Sequence, residues 1–288
     1  MADRPLDSLR TYSSMIKLSH SIFAMPFALA AAVLAARTVE VTVAQIGLIL
    51  VCLVTARSAA MGFNRILDRD IDADNPRTSS RELPSGAISL RAATVFTAVS
   101  AGLFVLATAL LGPLTLALSP IVLLVVLGYS YTKRYTAWCH AVLGLALALA
   151  PTGVWVALTG SYAWTPLLLS LAVGTWVAGF DILYSCQDYE FDRDRGLHSV
   201  PVALGLSGAM VLSAVLHLGT VGLLVAVGVV ANLGFAYAIG VAVITAVLVY
   251  EHWIVRPDDL SRIDKAFFDL NGYVSLLFFA FVVGDLAW

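Results

Sequence analysis

Apolar residues along the chain gather into nine long runs, with limits near 18–36, 42–63, 91–112, 114–132, 138–159, 164–186, 202–226, 228–250 and 267–287. Each approaches the roughly 20 residues that cross a hydrocarbon core about 30 Å thick. In hydrocarbon the backbone must satisfy its own polar groups, so runs of this length predict helices. The alternating pattern of a membrane barrel is absent. Several runs abut at short turn signals: Gly112-Pro113, Thr159-Gly160-Ser161 and the region of Gly228. The expected fold class is an all-α membrane protein with nine transmembrane helices.

Composition supports that class. Of 288 residues, 60% are hydrophobic and 12% charged, against about half and about a quarter in soluble domains. The 17 Lys and Arg are balanced by 19 Asp and Glu, so no basic surplus exists to neutralise a polynucleotide, and no nucleic acid is expected as a partner. The three cysteines, Cys52, Cys139 and Cys186, share no metal-clip spacing and read as small packing residues. The N-terminus lacks the pattern of a cleavable signal.

Charge placement gives an orientation. Of the 17 basic residues, 15 lie at the N-terminus or after the second, fourth, sixth and eighth runs; Arg37 is the one in an odd-side loop. The positive-inside rule puts the N-terminus and the even loops in the cytoplasm and the end of the chain outside. A multi-pass protein of the inner cell membrane is expected, with its working loops cytoplasmic.

The acidic residues are concentrated further. Nine of the 19 lie within 68–74 and 181–194. In the first cluster, Asn64, Asp68 and Asp72 are spaced by four and form one stripe on a helix, whereas Asp70 and Asp74 point elsewhere. The second cluster repeats the pattern with Tyr184, Asp188 and Asp192. Stacked like charges destabilise a helix by a few tenths of a kcal/mol, which makes sense where a cation sits between them. The repetition suggests a duplicated half, with motifs at 64–72 and 184–192 facing one another across a central cavity in a single domain, 1–288. Hard divalent cations take oxygen ligands, and Mg2+ uses one or two carboxylates plus substrate phosphates. The expected site is thus a Mg2+–diphosphate site. An EF-hand fits poorly, because Ala73 and Ser79 replace its Gly and Glu.

Arg69, Arg77, Arg81, Lys133 and Arg134 share the same compartment and could contact phosphate oxygens. Arg57 is different. It lies inside an apolar run, where an Arg costs about 2.5–3.5 kcal/mol. Seven residues before Asn64, it extends the first stripe inward and could hold an anionic group of a substrate. Asp181, seven before Asp188, extends the second stripe and could pair with Arg57. His20, Asn271, Tyr129 and Tyr131 could also line the cavity, whereas His217 reads as a packing residue.

Asn64-x-x-x-Asp68-x-x-x-Asp72, Arg77-Thr78 and Arg81-Glu82-Leu83-Pro84-Ser85-Gly86 resemble the first signature of the UbiA superfamily of intramembrane prenyltransferases. Asp188-x-x-x-Asp192 followed by Gly196-Leu197-His198-Ser199 resembles its second. Lys133-Arg134-Tyr135-Thr136 and Asn271-Gly272-Tyr273 are similar to the 4-hydroxybenzoate polyprenyltransferase branch. The resemblance covers nearly the whole chain. It implies nine helices around a central cavity with a cytoplasmic cap. It also implies Mg2+ bridging the motifs to a polyprenyl diphosphate, with Asn64, Asp68, Asp72, Asp188 and Asp192 as metal and diphosphate residues and Lys133 and Arg134 assisting. His198 stands where the hydroxybenzoate enzymes usually have Lys, and Glu82 where they have Pro. Both features resemble the prenyltransferases of the futalosine route to menaquinone.

The expected activity is Mg2+-dependent transfer of a polyprenyl group to an aromatic acid, 4-hydroxybenzoate or a dihydroxynaphthoate, in ubiquinone or menaquinone biosynthesis. Asp68, Asp72, Asp188 and Asp192 are the catalytic and metal candidates. The diphosphate and substrate candidates are Asn64, Arg57, Arg69, Arg77, Arg81, Lys133, Arg134, His20 and Tyr184. Other superfamily acceptors, such as haem, chlorophyllide or a lipid, remain open. A cation-coupled transporter is the alternative from another class, although transporter sites lie near the bilayer midplane. Prenyl chain length and oligomeric state are not legible.

Overall fold

The computed structural model describes residues 11–17 and 23–287, and these are almost entirely helical. α1 is Met25–Ala35, α2 Val43–Asp74, α3 Leu90–Leu111, α4 Pro113–Thr132, α5 Cys139–Thr159 and α6 Trp164–Ser185. A 3-10 turn, Cys186–Asp188, leads into the short α7, Tyr189–Asp194. α8 is Val200–Val230 and α9 Phe235–Ile254. α10, Asn271–Leu286, is entered through a π-turn, Ala266–Leu270. Among the described residues, eight helical segments are long and apolar enough to cross a membrane. The protein is an all-α membrane protein. The first of the nine expected spans, 18–36, overlaps α1, which has 11 residues; residues 18–22 lie outside those described.

The turn signals at Gly112-Pro113 and Gly160 fall at helix junctions, as the sequence predicts. Gly228 does not. α8 runs through it, and the chain reverses at 231–234. Gly228 is small because Tyr237 packs on it: an added Cβ would lie 2.7 Å from the Tyr237 ring. Elsewhere a glycine does bend the chain. Gly205 has φ 71° and kinks α8 one turn after its start, a conformation open to glycine and costly for residues with a Cβ.

Two compact units divide the chain. The first contains residues 11–17 and 47–131. At 1.5 Å per residue, the 32 residues of α2 extend about 48 Å, well beyond a hydrocarbon core of about 30 Å. That excess is why the polar stripe can sit on the same helix as the apolar span. α2 and α3 approach closely at Gly62, where a Cβ would meet Thr97 Oγ1 at 2.4 Å. Met15, Ile16, Leu83, Ile88 and Ala93 form a small core beside the loop after α2. Tyr12 stacks on Phe96 there, with ring centroids 5.1 Å apart.

The second unit contains residues 23–46 and 132–287. α6 is its centre: it belongs to the most deeply buried of the eight membrane-length segments, and it packs on α5 and α8. α5 and α6 nearly touch at Gly144, where a Cβ would lie 2.3 Å from the Gly174 carbonyl oxygen. Inside, Trp176 Nε1 donates to Asn271 Oδ1 at 2.7 Å, and Asn271 Nδ2 donates to Glu251 Oε1 at 2.9 Å. Asn271 is fully buried and bridges three helices rather than lining a cavity. His217 is also interior, facing His252 at 2.9 Å and the Trp176 carbonyl at 3.2 Å. At one end of this unit, Arg37 donates to the Ala231 carbonyl, and Asp285 accepts from the amides of Gly234 and Tyr237. The 36–42 loop, the α8–α9 turn and the end of α10 therefore share one face.

Candidate active site

The first acidic motif occupies the last three turns of α2. Because α2 is continuous to Asp74, the spacing by four becomes a real stripe: Asp68 and Asp72 are buried, at 3% and 4% exposure, while Asp70 and Asp74 are exposed. Asn64 Nδ2 donates to Asp68 Oδ2 at 3.1 Å. Arg81 returns from the following loop and places Nη1 at 2.7 and 2.9 Å from the two oxygens of Asp72. The loop is anchored from Asp72 as well, since Thr78 Oγ1 donates to the Asp72 carbonyl at 3.1 Å.

Deeper in α2, two guanidiniums are drawn into the same unit. Arg65 is buried and donates through Nε to the Met15 carbonyl at 3.3 Å; Asp72, Glu82, Arg81 and Tyr129 act on its charge. Arg57 donates to the Lys17 carbonyl at 3.4 Å, while its Nε is buried and has no partner among the described residues. The Tyr129 hydroxyl interacts electrostatically with Arg57, Arg65 and Asp68. The first unit thus assembles Arg57, Asn64, Arg65, Asp68, Asp72, Arg81 and Tyr129. Arg69 is turned away: it is 41% exposed and pairs with Asp70 at 2.9 Å. Arg77 is exposed in the loop and donates its backbone amide to Asn75 Oδ1. His20 lies outside the described residues.

The second motif is built differently. The α-helical geometry of α6 stops at Ser185, and the 3-10 turn changes the register before α7. Asp188 and Asp192 are therefore not two turns of one helix, as the spacing predicts. They still lie close enough for the charge of Asp188 to act on Asp192, as do Lys133, Ser199 and His140. The loop after α7 folds back on α5. His198 N–H donates to the Lys133 carbonyl at 2.8 Å, and Leu197 N–H donates to the Asp192 carbonyl at 2.8 Å. Arg134 is half-buried beside Lys133. Tyr184 stacks on Phe267, with ring centroids 4.0 Å apart, one turn before Asp188.

Asp181 does not stand alone. His140 Nδ1 lies 2.7 Å from Asp181 Oδ2. His140 and Arg65 are site residues that the sequence did not single out. A lone histidine at the start of an apolar run has no spacing that marks it, and Arg65 is one of many basic residues at or after the end of the second apolar run.

Carboxylate and amide oxygens dominate both motifs, a donor set suited to a hard cation. Among the described residues, no three His, Cys, Asp or Glu side chains gather to bind a metal by themselves. Mg2+ that shares its coordination with phosphate needs only one or two carboxylates, and each motif offers two. The residues fit such shared ligation.

The UbiA prenyltransferase family profile matches residues 24–281. The chain belongs to the UbiA prenyltransferase family. As a UbiA prenyltransferase it is an enzyme of membrane-embedded prenyl transfer. It is 30% identical over 235 residues to the 4-hydroxybenzoate octaprenyltransferase of Pseudomonas fluorescens (strain SBW25), covering 82% of this chain and 79% of that one. It is 31% identical over 225 residues to the enzyme of the same name from Tolumonas auensis, covering 78% of each. In structure it is similar to a UbiA homologue from Aeropyrum pernix K1 in its apo form, with TM-score 0.84, 34% identity and coverage of 93% of this chain and 98% of that one. An Archaeoglobus fulgidus UbiA homologue bound to GPP and Mg2+ shares the fold, with TM-score 0.74, 21% identity and coverage of 96% and 100%.

Proposed function

We propose that this UbiA-family enzyme transfers a polyprenyl group from polyprenyl diphosphate to an aromatic acid for quinone biosynthesis, in a Mg2+-dependent reaction. The observation that carries the reading is the buried Asn64–Asp68–Asp72 stripe with Arg81 on Asp72. Burying two carboxylates at the end of a membrane helix is costly unless cations accompany them; Arg81 and Arg65 supply part of that charge, and a divalent cation shared with a diphosphate would supply the rest. Asp68, Asp72, Asp188 and Asp192 are the proposed ligands. Mg2+, when bound there, would supply charge neutralisation for the departing diphosphate. Arg81, Lys133 and Arg134 would contact diphosphate oxygens directly, aimed at charge that grows as the allylic C–O bond breaks. The apolar helices keep water from the allylic cation, so an electron-rich ring captures it instead. Transfer of the ring proton to a site carboxylate or to the departed diphosphate then restores aromaticity.

Arg57 is the proposed partner of the acceptor carboxylate: its buried Nε is a donor awaiting an acceptor, and an unpaired buried donor costs about 1–3 kcal/mol. The relatives named for 4-hydroxybenzoate favour that acceptor. His198 and Glu82 favour a dihydroxynaphthoate. The proposed location is the inner cell membrane, with the motif-bearing ends of α2 and α6 in the cytoplasm, as the basic residues there require. The test is a membrane assay that pairs a labelled polyprenyl diphosphate with 4-hydroxybenzoate, 1,4-dihydroxy-2-naphthoate and related acids, with product mass as readout. A prenylated acid formed only with Mg2+ supports the reading; prenylation of a non-aromatic acceptor alone contradicts it.

A further inference from the structure

Asp181 is a carboxylate inside an apolar membrane helix, and such groups face a water-accessible space rather than lipid. Its side chain is 23% exposed, although its neighbours Phe180, Ile182 and Leu183 are buried. It lies seven residues before Asp188, about 12 Å along the chain at about 1.5 Å per residue in α6 and about 2.0 Å in the 3-10 turn.

Its partner, His140, is itself buried, at 4% exposure. The hydrogen bonds of His140 fix its tautomer. Val200 N–H, in the first turn of α8, approaches Nε2 at 3.3 Å. A backbone amide only donates, so Nε2 carries the lone pair and the ring proton is on Nδ1. Nδ1–H therefore donates to Asp181 Oδ2. Among the described residues, Asp181 forms its hydrogen bond through Oδ2 and not through Oδ1. One imidazole thus ties together the starts of α5 and α8 and a single carboxylate oxygen on α6, leaving the other oxygen available.

We infer that His140 is a positioning residue: it fixes Asp181 so that Oδ1 accepts a hydrogen bond from the ring hydroxyl of the aromatic acceptor. The inference rests on the function proposed above and names how that substrate is oriented. A hydroxyl donating to a carboxylate makes the ring more electron-rich, which favours its attack on an allylic cation. No proton need leave the hydroxyl.

Two substitutions separate the two bonds of His140. The Asn side chain places an N–H near the Nδ1 position, so His140→Asn keeps the link to Asp181 and loses the link to Val200. The Gln side chain reaches the Nε2 position, so His140→Gln keeps the Val200 link and loses the carboxylate. His140→Asn is expected to hold the acceptor KM within about threefold. His140→Gln and Asp181→Asn are expected to raise it about tenfold or more, the scale of one hydrogen bond to a charged group, with the prenyl diphosphate KM unchanged. A His140→Gln enzyme with the wild-type acceptor KM, or equal effects of both His140 variants on both substrates, would overturn the inference. Should the variants not fold, the 15N spectrum of labelled wild-type protein decides: Nδ1–H on His140 supports the assignment, and Nε2–H or a doubly protonated ring refutes it. Wild-type protein that binds a prenyl thiodiphosphate but none of the aromatic acids would instead contradict the proposed function.

Discussion

Replacing Asn271 with Leu tests whether the interior of the second unit is held by polar bridging. In the wild type its amide accepts from Trp176 Nε1 and donates to Glu251 Oε1 and to the Ala266 carbonyl at 3.0 Å. Leu shares the branched shape of the Asn side chain but is bulkier, so no cavity forms and overpacking, about 1–3 kcal/mol, adds to the lost hydrogen bonding. Trp176 is 0% and Glu251 1% exposed, so neither recovers a water. Two buried groups left unsatisfied cost about 1–3 kcal/mol each, or about 2–6 kcal/mol together. At about 2–4 °C per kcal/mol for a chain of this size, the lost hydrogen bonds alone should lower the thermal midpoint by about 4–24 °C. Intrinsic tryptophan fluorescence of the purified protein in detergent reports it, because Trp176 is the affected donor. Glu251→Gln keeps the Oε1 acceptor and gives up only the 3.7 Å approach of Oε2 to His217 Nδ1, which is too long for a hydrogen bond, so it should cost under about 1 kcal/mol. Asn271→Leu as stable as the wild type, or Glu251→Gln as damaging as Asn271→Leu, would refute the reasoning.

The other predictions concern packing and the site. Gly144→Ala should separate α5 from α6, because its Cβ meets backbone rather than a movable side chain; expression and thermal midpoint should both fall, whereas Gly153→Ala, with open space around it, should be neutral. Arg81→Met should raise the prenyl diphosphate KM about tenfold or more, and Arg81→Lys should recover only part of the loss, because a point charge replaces a fork of donors. Arg57→Leu should raise the acceptor KM selectively; unchanged kinetics for both substrates would remove Arg57 from the site.

Legibility in the sequence followed physical constraint. The helices were plain because hydrocarbon leaves the backbone no alternative. The first acidic stripe was plain because α2 continues unbroken through it, which turns spacing directly into geometry. The second was only half legible: nothing in Tyr184-Ser185-Cys186-Gln187-Asp188 announces a change from α-helical to 3-10 winding. Gly228 misled, because a glycine that makes room for Tyr237 has the same letter as a glycine that turns the chain. Asn271 and His140 were misplaced or missed for a related reason. A single polar residue in an apolar run shows that a partner exists but not which one, and the partners, Trp176 with Glu251 and Asp181 with Val200, lie 20 to 95 residues away.

The central claim is that the paired carboxylates work through Mg2+ on a prenyl diphosphate. The most direct measurement is Mg2+-dependent release of diphosphate by wild type, Asp68→Asn and Asp192→Asn, each checked for folding by its thermal midpoint. The account predicts release by the wild type that chelation abolishes and a loss of at least about a hundredfold in both variants, the scale on which removing one preorganised electrostatic group acts. Folded variants that both release diphosphate at the wild-type rate would contradict it.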